Sequence, residues 1–143
     1  MLTVFDTGPL YAALDRDDDN HKSCAALLSS HAVRPVIPAL VVAEVSYLAG
    51  TRLGADVEAT FVAALADLDV ESPSPQEWKR ISELVRKYAD FPLGAVDASV
   101  VALAERLQIE HVATLDHRHF HAVKPRHCEA LQLLPELSRQ LPV

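Results

Sequence analysis

Short apolar runs alternate with longer stretches of helical spacing along nearly the whole chain, and that alternation limits the available folds more than any other feature. Leu2 to Phe5 is short, apolar and rich in β-branched residues, so it reads as a buried strand, broken by Asp6-Thr7-Gly8-Pro9. A helix is expected from Pro9, then a polar loop, Asp15 to Asn20, and a helix over His21 to Ser30. Val33 to Ile37 is a second strand, Ala39 to Ala49 and Ala55 to Leu68 are helices, and Leu68 to Glu71 a third short strand. Ser72-Pro73-Ser74-Pro75 restarts the chain as a helix to Tyr88, with Trp78, Ile81, Leu84 and Val85 on its apolar face. Phe91-Pro92-Leu93-Gly94 is a break before a helix over Ala95 to Leu107, and His111 to Leu115 and Ala130 to Leu134 are the last strands. Strands separated by helices pair in parallel through right-handed crossovers, which predicts an α/β fold whose sheet is covered on both faces.

The 143 residues fit a single domain, 1–143, with enough length to bury a core without disulfides or a structural metal. No repeat or linker divides it. The first apolar run stops at Asp6, no basic region leads into a signal-length core, and no segment approaches a membrane span, so a cytoplasmic protein is expected. There Cys24 and Cys128 would stay reduced, and two cysteines at this separation make no zinc motif. A net charge of −7 argues against a protein that coats nucleic acid electrostatically. Eight of the thirteen basic residues nevertheless fall between Lys79 and Arg126, together with His117-Arg118-His119-Phe120-His121, so a local basic rim can face an acidic centre.

That centre is drawn by Asp6, Glu44, Asp97 and Asp116. Asp6 and Asp116 follow strands, and in open parallel sheets ligands sit beyond the carboxyl ends of the strands, where strand order reverses. Glu44 shares a helical face with Leu40, Val41 and Leu48, and Asp97 one with Val100, Val101 and Ala104. Each acid alone has an ordinary explanation: a turn former, a first-turn helix residue, an Asx turn, a partner for Arg52. Four on one sheet edge have none, because clustered carboxylates repel unless a cation holds them. An oxygen-only donor set suits Mg²⁺ or Mn²⁺, which points to phosphoryl transfer or phosphodiester hydrolysis. No phosphate-binding glycine loop, nucleophile elbow or zinc-protease motif appears, and Asp6-Thr7-Gly8 lacks the second acid an aspartyl-phosphate phosphatase needs. The histidines 117, 119 and 121, in a loop after a strand, belong on the substrate side or in solvent rather than in a zinc site.

The ordered set of an apolar strand ending in Asp6-Thr7-Gly8, Pro38 through Ala43-Glu44-Val45, Tyr88, Gly94, Asp97-Ala98 and Thr114-Leu115-Asp116 with Phe120 resembles the PIN-domain family, specifically VapC-like toxins of type II toxin-antitoxin pairs. The resemblance spans nearly the whole chain. It implies a three-layer α/β/α sandwich with a central, mainly parallel sheet, and a metal-dependent endoribonuclease, commonly a homodimer, silenced by a VapB-like antitoxin. Asp6, Glu44, Asp97 and Asp116 match the metal-binding acids, with Asp6 and Asp97 as first choices for direct ligands of one or two Mg²⁺ ions, and Thr7 matches the hydroxyl beside the first. Asp90 lies near a further acid of some members. Arg118, His117 and His119 are candidate substrate contacts. The implied substrate is a structured tRNA or rRNA loop, cut by an activated water. The alternative is a catalytically idle binding module that acts with its antitoxin on operator DNA.

Overall fold

Residues 1–136 are described by a computed structural model. The strands are β1 (Leu2–Phe5), β2 (Arg34–Pro38), β3 (Asp69–Glu71), β4 (His111–Ala113) and β5 (Gln132–Leu134). The helices are α1 (Thr7–Leu14), α2 (His21–Ser29), α3 (Ala39–Arg52), α4 (Ala55–Ala64), α5 (Pro75–Lys87), α6 (Ala95–Leu107) and α7 (His117–Ala122), with a 3-10 turn over Leu65–Asp67. The sheet runs β3-β2-β1-β4-β5, and every pairing is parallel. Strand order therefore reverses between β1 and β4. Crossovers from β1 out to β3 and back to β4 and β5 leave helices on both faces, giving the three-layer α/β/α sandwich.

Val4 of β1 lies between Val36 of β2 and Val112 of β4, all essentially inaccessible, and these form the middle of the core. On one side α6 closes it, with every residue from Ala98 to Ala104 buried. On the other α3 contributes Val41, Val45 and Ala49 at helical spacing.

Most differences from the sequence reading lie at element ends. Helix α1 begins at Thr7, two residues before Pro9, because a proline in the first turn removes only an N–H that has no intrahelical partner. Helix α4 tightens at Leu65 instead of running to Leu68, and β4 ends at Ala113 rather than Leu115. In α5 the buried stripe is Glu77, Ile81 and Leu84, with Val85 only partly covered, while Trp78 is 51% exposed and does not join the apolar face. The cause is local: Ser74 and Glu77 form a reciprocal capping box, and Glu77 also pairs with Arg106 across from α6. That pairing draws a carboxylate inward and leaves the indole outside. Cys24 is buried and Cys128 partly exposed, and both are free thiols.

Candidate active site

The carboxyl ends of β1 and β4 open on a cleft of about 430 Å³ lined by Asp6, Thr7, Gly8, Glu44, Asp97, Leu115 and Asp116. All four acids singled out in the sequence line this cleft. Asp90 is exposed and does not.

Asp6 occupies the N-cap of α1, a position where aspartate usually bonds the helix's free N–H groups, yet its side chain makes no such cap. It turns toward β4 instead, where the hydroxyl of Thr114 donates to its Oδ2 at 2.9 Å. Thr114 is fully buried, and the same hydroxyl accepts the backbone N–H of Asp116 at 3.0 Å. One threonine thus fixes both strand-end acids. It was not among the candidates from sequence, where a threonine closing an apolar run reads as strand; its place two residues before Asp116 is the signal that was there.

Asp6 is only 6% exposed, and its pKa is pushed up to about 6. Loss of water is the main cause, the charge of Asp97 the next, and Glu44 adds a smaller push, against the Thr7 N–H and the Thr114 hydroxyl, which favour the ion. Asp97 stands in the first turn of α6, where the helix dipole favours a negative charge. Its pKa is nevertheless raised, first by burial and then by Asp116 and Glu44, with His119 opposing. Burial, with like charges added to it, therefore outweighs the dipole.

Glu44 and Asp116 are less covered than the sequence suggested. On α3 the inward positions are Val41, Val45 and Ala49, so Glu44 projects from the flank of the helix, exposed, at the rim of the cleft. Asp116 is the N-cap of α7: Oδ1 accepts the His119 N–H at 3.1 Å and Oδ2 pairs with His119 Nδ1. Both of its oxygens are thus engaged. Residues 117–121 are not a loop but this short helix, because Asp116 caps it and Phe120 buries its inner face. His119 reaches the site through Asp116; His117 and Arg118 do not line the cleft.

Among the described residues no three His, Cys, Asp or Glu side chains close on a common point as a ready metal cage. The donors still suit a hard divalent cation. They are oxygens only, they repel one another, and the buried hydroxyl of Thr7 has no hydrogen-bond partner. Mg²⁺ keeps several waters and uses one or two carboxylates, so an open cleft fits it better than a closed cage would. No helix among the described residues is long and apolar enough to cross a membrane.

Residues 3–124 match the family described as PIN domain. Over 124 residues, 85% of this chain and 92% of the relative, the sequence is 34% identical to Ribonuclease VapC26 of Mycobacterium tuberculosis. Among solved structures, it is similar to the sarcin-ricin loop cleaving toxin VapC20 of Mycobacterium tuberculosis, with a TM-score of 0.72 and 18% identity over 78% of this chain and 87% of that one. Rickettsia felis VapBC2, bound to a DNA fragment from its promoter, gives a TM-score of 0.60 at 16% identity, covering 83% of this chain and 92% of that one. VapBC-1 of nontypeable Haemophilus influenzae gives 0.58 at 15%, covering 84% and 90%. At such identities the structural likeness establishes the fold.

Proposed function

This chain belongs to the PIN-domain family, in its VapC group, and on that premise we propose that it is a Mg²⁺-dependent endoribonuclease toxin, with Mn²⁺ able to substitute. The observation that carries the reading is the meeting of Asp6, Glu44, Asp97 and Asp116 around one cleft at the switch point of the sheet, with the pKa values of Asp6 and Asp97 both raised, first by burial and then by their acidic neighbours. The ribonuclease to which the chain is 34% identical over 124 residues supports RNA as the substrate class.

In this reading Asp6 and Asp97, the two deepest carboxylates, would hold the cation, and Thr7, whose buried hydroxyl has no hydrogen-bond partner, lines the same space. Bound there, the cation supplies the positive charge that neutralises the cluster and polarises the scissile phosphate. Thr114 keeps Asp6 turned away from its helix and toward the ligand. Glu44, exposed at the rim, accepts the proton of the attacking water. Asp116, engaged by His119, acts by orienting its neighbours. Attack of water on phosphorus with departure of the ribose 3′-oxygen leaves a 5′-phosphate and a 3′-hydroxyl. A VapB-like antitoxin would hold this activity in check in the cytoplasm, and the working unit would be a homodimer.

The test is induction of the chain without a partner, which should arrest bacterial growth, while Asp6→Ala and Asp97→Ala at equal soluble levels should not. Purified protein should cleave RNA with Mg²⁺ or Mn²⁺, stop in EDTA and leave 5′-phosphates. Alanine variants as toxic as the parent would overturn the assignment of the site. An inert parent that still repressed an operator together with an antitoxin would favour the binding module.

A further inference from the structure

One wall of the acid cleft continues outward into a stack of three side chains. His119, tied to Asp116 through Nδ1, presents its ring edge-on to Phe91, with centroids 4.8 Å apart and planes at 61°. The guanidinium carbon of Arg118 lies over Phe91, 5.7 Å from the ring centroid. Phe91 is partly exposed and Arg118 exposed, whereas Leu93, two residues on, fills the core between α5 and α6. Phe91 is therefore not needed to seal the fold. Its ring is held in a set orientation by a histidine that is itself anchored to a cleft carboxylate.

A cluster of carboxylates repels phosphates, and a chain of net charge −7 has little general attraction for RNA. Recognition beside such a cleft must come from somewhere else. Aromatic rings and guanidinium planes hold nucleobases by stacking, which charge repulsion opposes only weakly, and they reach only bases that are already unstacked in a loop, bulge or end. We propose that Phe91 and Arg118 form a platform on which an unpaired base next to the scissile bond stacks, so that the site selects looped over paired RNA; this rests on the ribonuclease reading above. Arg118 then has a role its charge alone does not describe. Its guanidinium, 5.7 Å from the Phe91 centroid, would extend the stacking surface, and Arg118→Lys separates the plane from the charge.

The experiment uses the intact protein and a synthetic stem-loop carrying the cleavage site mapped on total RNA, beside the same sequence fully paired to its complement. The parent should cleave the loop and spare the duplex. Phe91→Leu and Arg118→Lys should each lose about 5- to 150-fold in kcat/KM, mainly through KM, the range that removing one stacking partner implies. Phe91→Trp should keep the parent's KM. In an Asp97→Asn background, which holds substrate uncut, 2-aminopurine beside the scissile bond should be quenched on binding, and the quench should vanish when Phe91→Leu is added. Arg118 is exposed, so its lysine variant folds whatever becomes of Phe91→Leu. Parent-like KM in Arg118→Lys or in folded Phe91→Leu, or equal cleavage of loop and duplex, would overturn the platform alone. A parent that cuts neither RNA in Mg²⁺ would overturn the ribonuclease reading and the platform with it.

Discussion

Asp6→Asn should stabilise the metal-free protein, and the gain should depend on pH in a way that identifies its cause. Asp6 has an ordinary pKa of 3.8 when unfolded and about 6 in the fold. A raised acid penalises the folded state wherever it is ionised. The penalty is absent below 3.8, grows as pH rises toward 6, and is constant above, because only between those values does the folded state carry the extra proton. At about 1.4 kcal/mol per pH unit, the full penalty is about 3 kcal/mol at pH 7.5 and about 1 kcal/mol at pH 4.5. Asparagine keeps an oxygen to accept the Thr114 hydroxyl, now at 2.9 Å from Asp6, and removes the charge. Urea unfolding in EDTA reads the difference: with a slope of about 2 kcal/mol per molar, the midpoint should rise by about 1.5 M at pH 7.5 and by about 0.5 M at pH 4.5. Equal gains at the two pH values, or a loss at pH 7.5, would refute the claim that crowded, desolvated charge is what Asp6 contributes to the empty cleft.

Three further outcomes follow from the same geometry. In thermal melts the parent should gain about 2.7 kcal/mol when Mg²⁺ is at 100 times its dissociation constant, Asp97→Asn much less, and Asp19→Asn, exposed and away from the cleft, as much as the parent. Thr114→Val removes a hydroxyl that serves both Asp6 and Asp116, so it should cost about 1–3 kcal/mol of stability. Because that hydroxyl lowers the pKa of Asp6, the acidic limb of the pH–rate profile should also move to higher pH. Arg118→Ala should weaken RNA binding more at low salt than at high and reduce the slope of log K against log salt by about 0.7 if its charge also meets a phosphate of single-stranded RNA; an unchanged slope would exclude that phosphate contact and leave Arg118 its stacking role alone.

What could be read from sequence and what could not divide along a physical line. The central strands were legible as short apolar runs, and β1 is found where Leu2 to Phe5 placed it, whereas β3, Asp69-Val70-Glu71, carries a single apolar residue at the sheet edge. Asp6 and Asp116 were legible because a parallel sheet sends whatever follows its central strands to one edge, and β1 and β4 are the pair between which strand order reverses. Which side chain at a helix start turns inward was harder, since capping and pairing compete there with hydrophobicity. Ser74 and Glu77 stand at capping-box spacing, which explains a buried glutamate and an exposed Trp78, but the apolar pattern alone favours the indole.

The cleft turns on a similar competition at three helix starts. Asp6 stands at an N-cap and leaves the cap unmade, Asp97 stands in a first turn and has a raised pKa, and Asp116 alone makes the capping bond its position predicts. A carboxylate that leaves the capping bond of its own helix unmade and faces other carboxylates is held there by the fold at a cost in stability. Thr114 is the group that imposes this on Asp6, from the residue that follows β4, 108 positions away in sequence. No local pattern around Asp6 carries that contact. It becomes visible only once β1 and β4 are paired, with the N–H of Asp6 on the carbonyl of Ala113 and the Thr114 hydroxyl on the carboxylate that follows. A cation entering the cleft would relieve the repulsion that this pairing builds in, which is why binding and stability should respond together to the same substitutions.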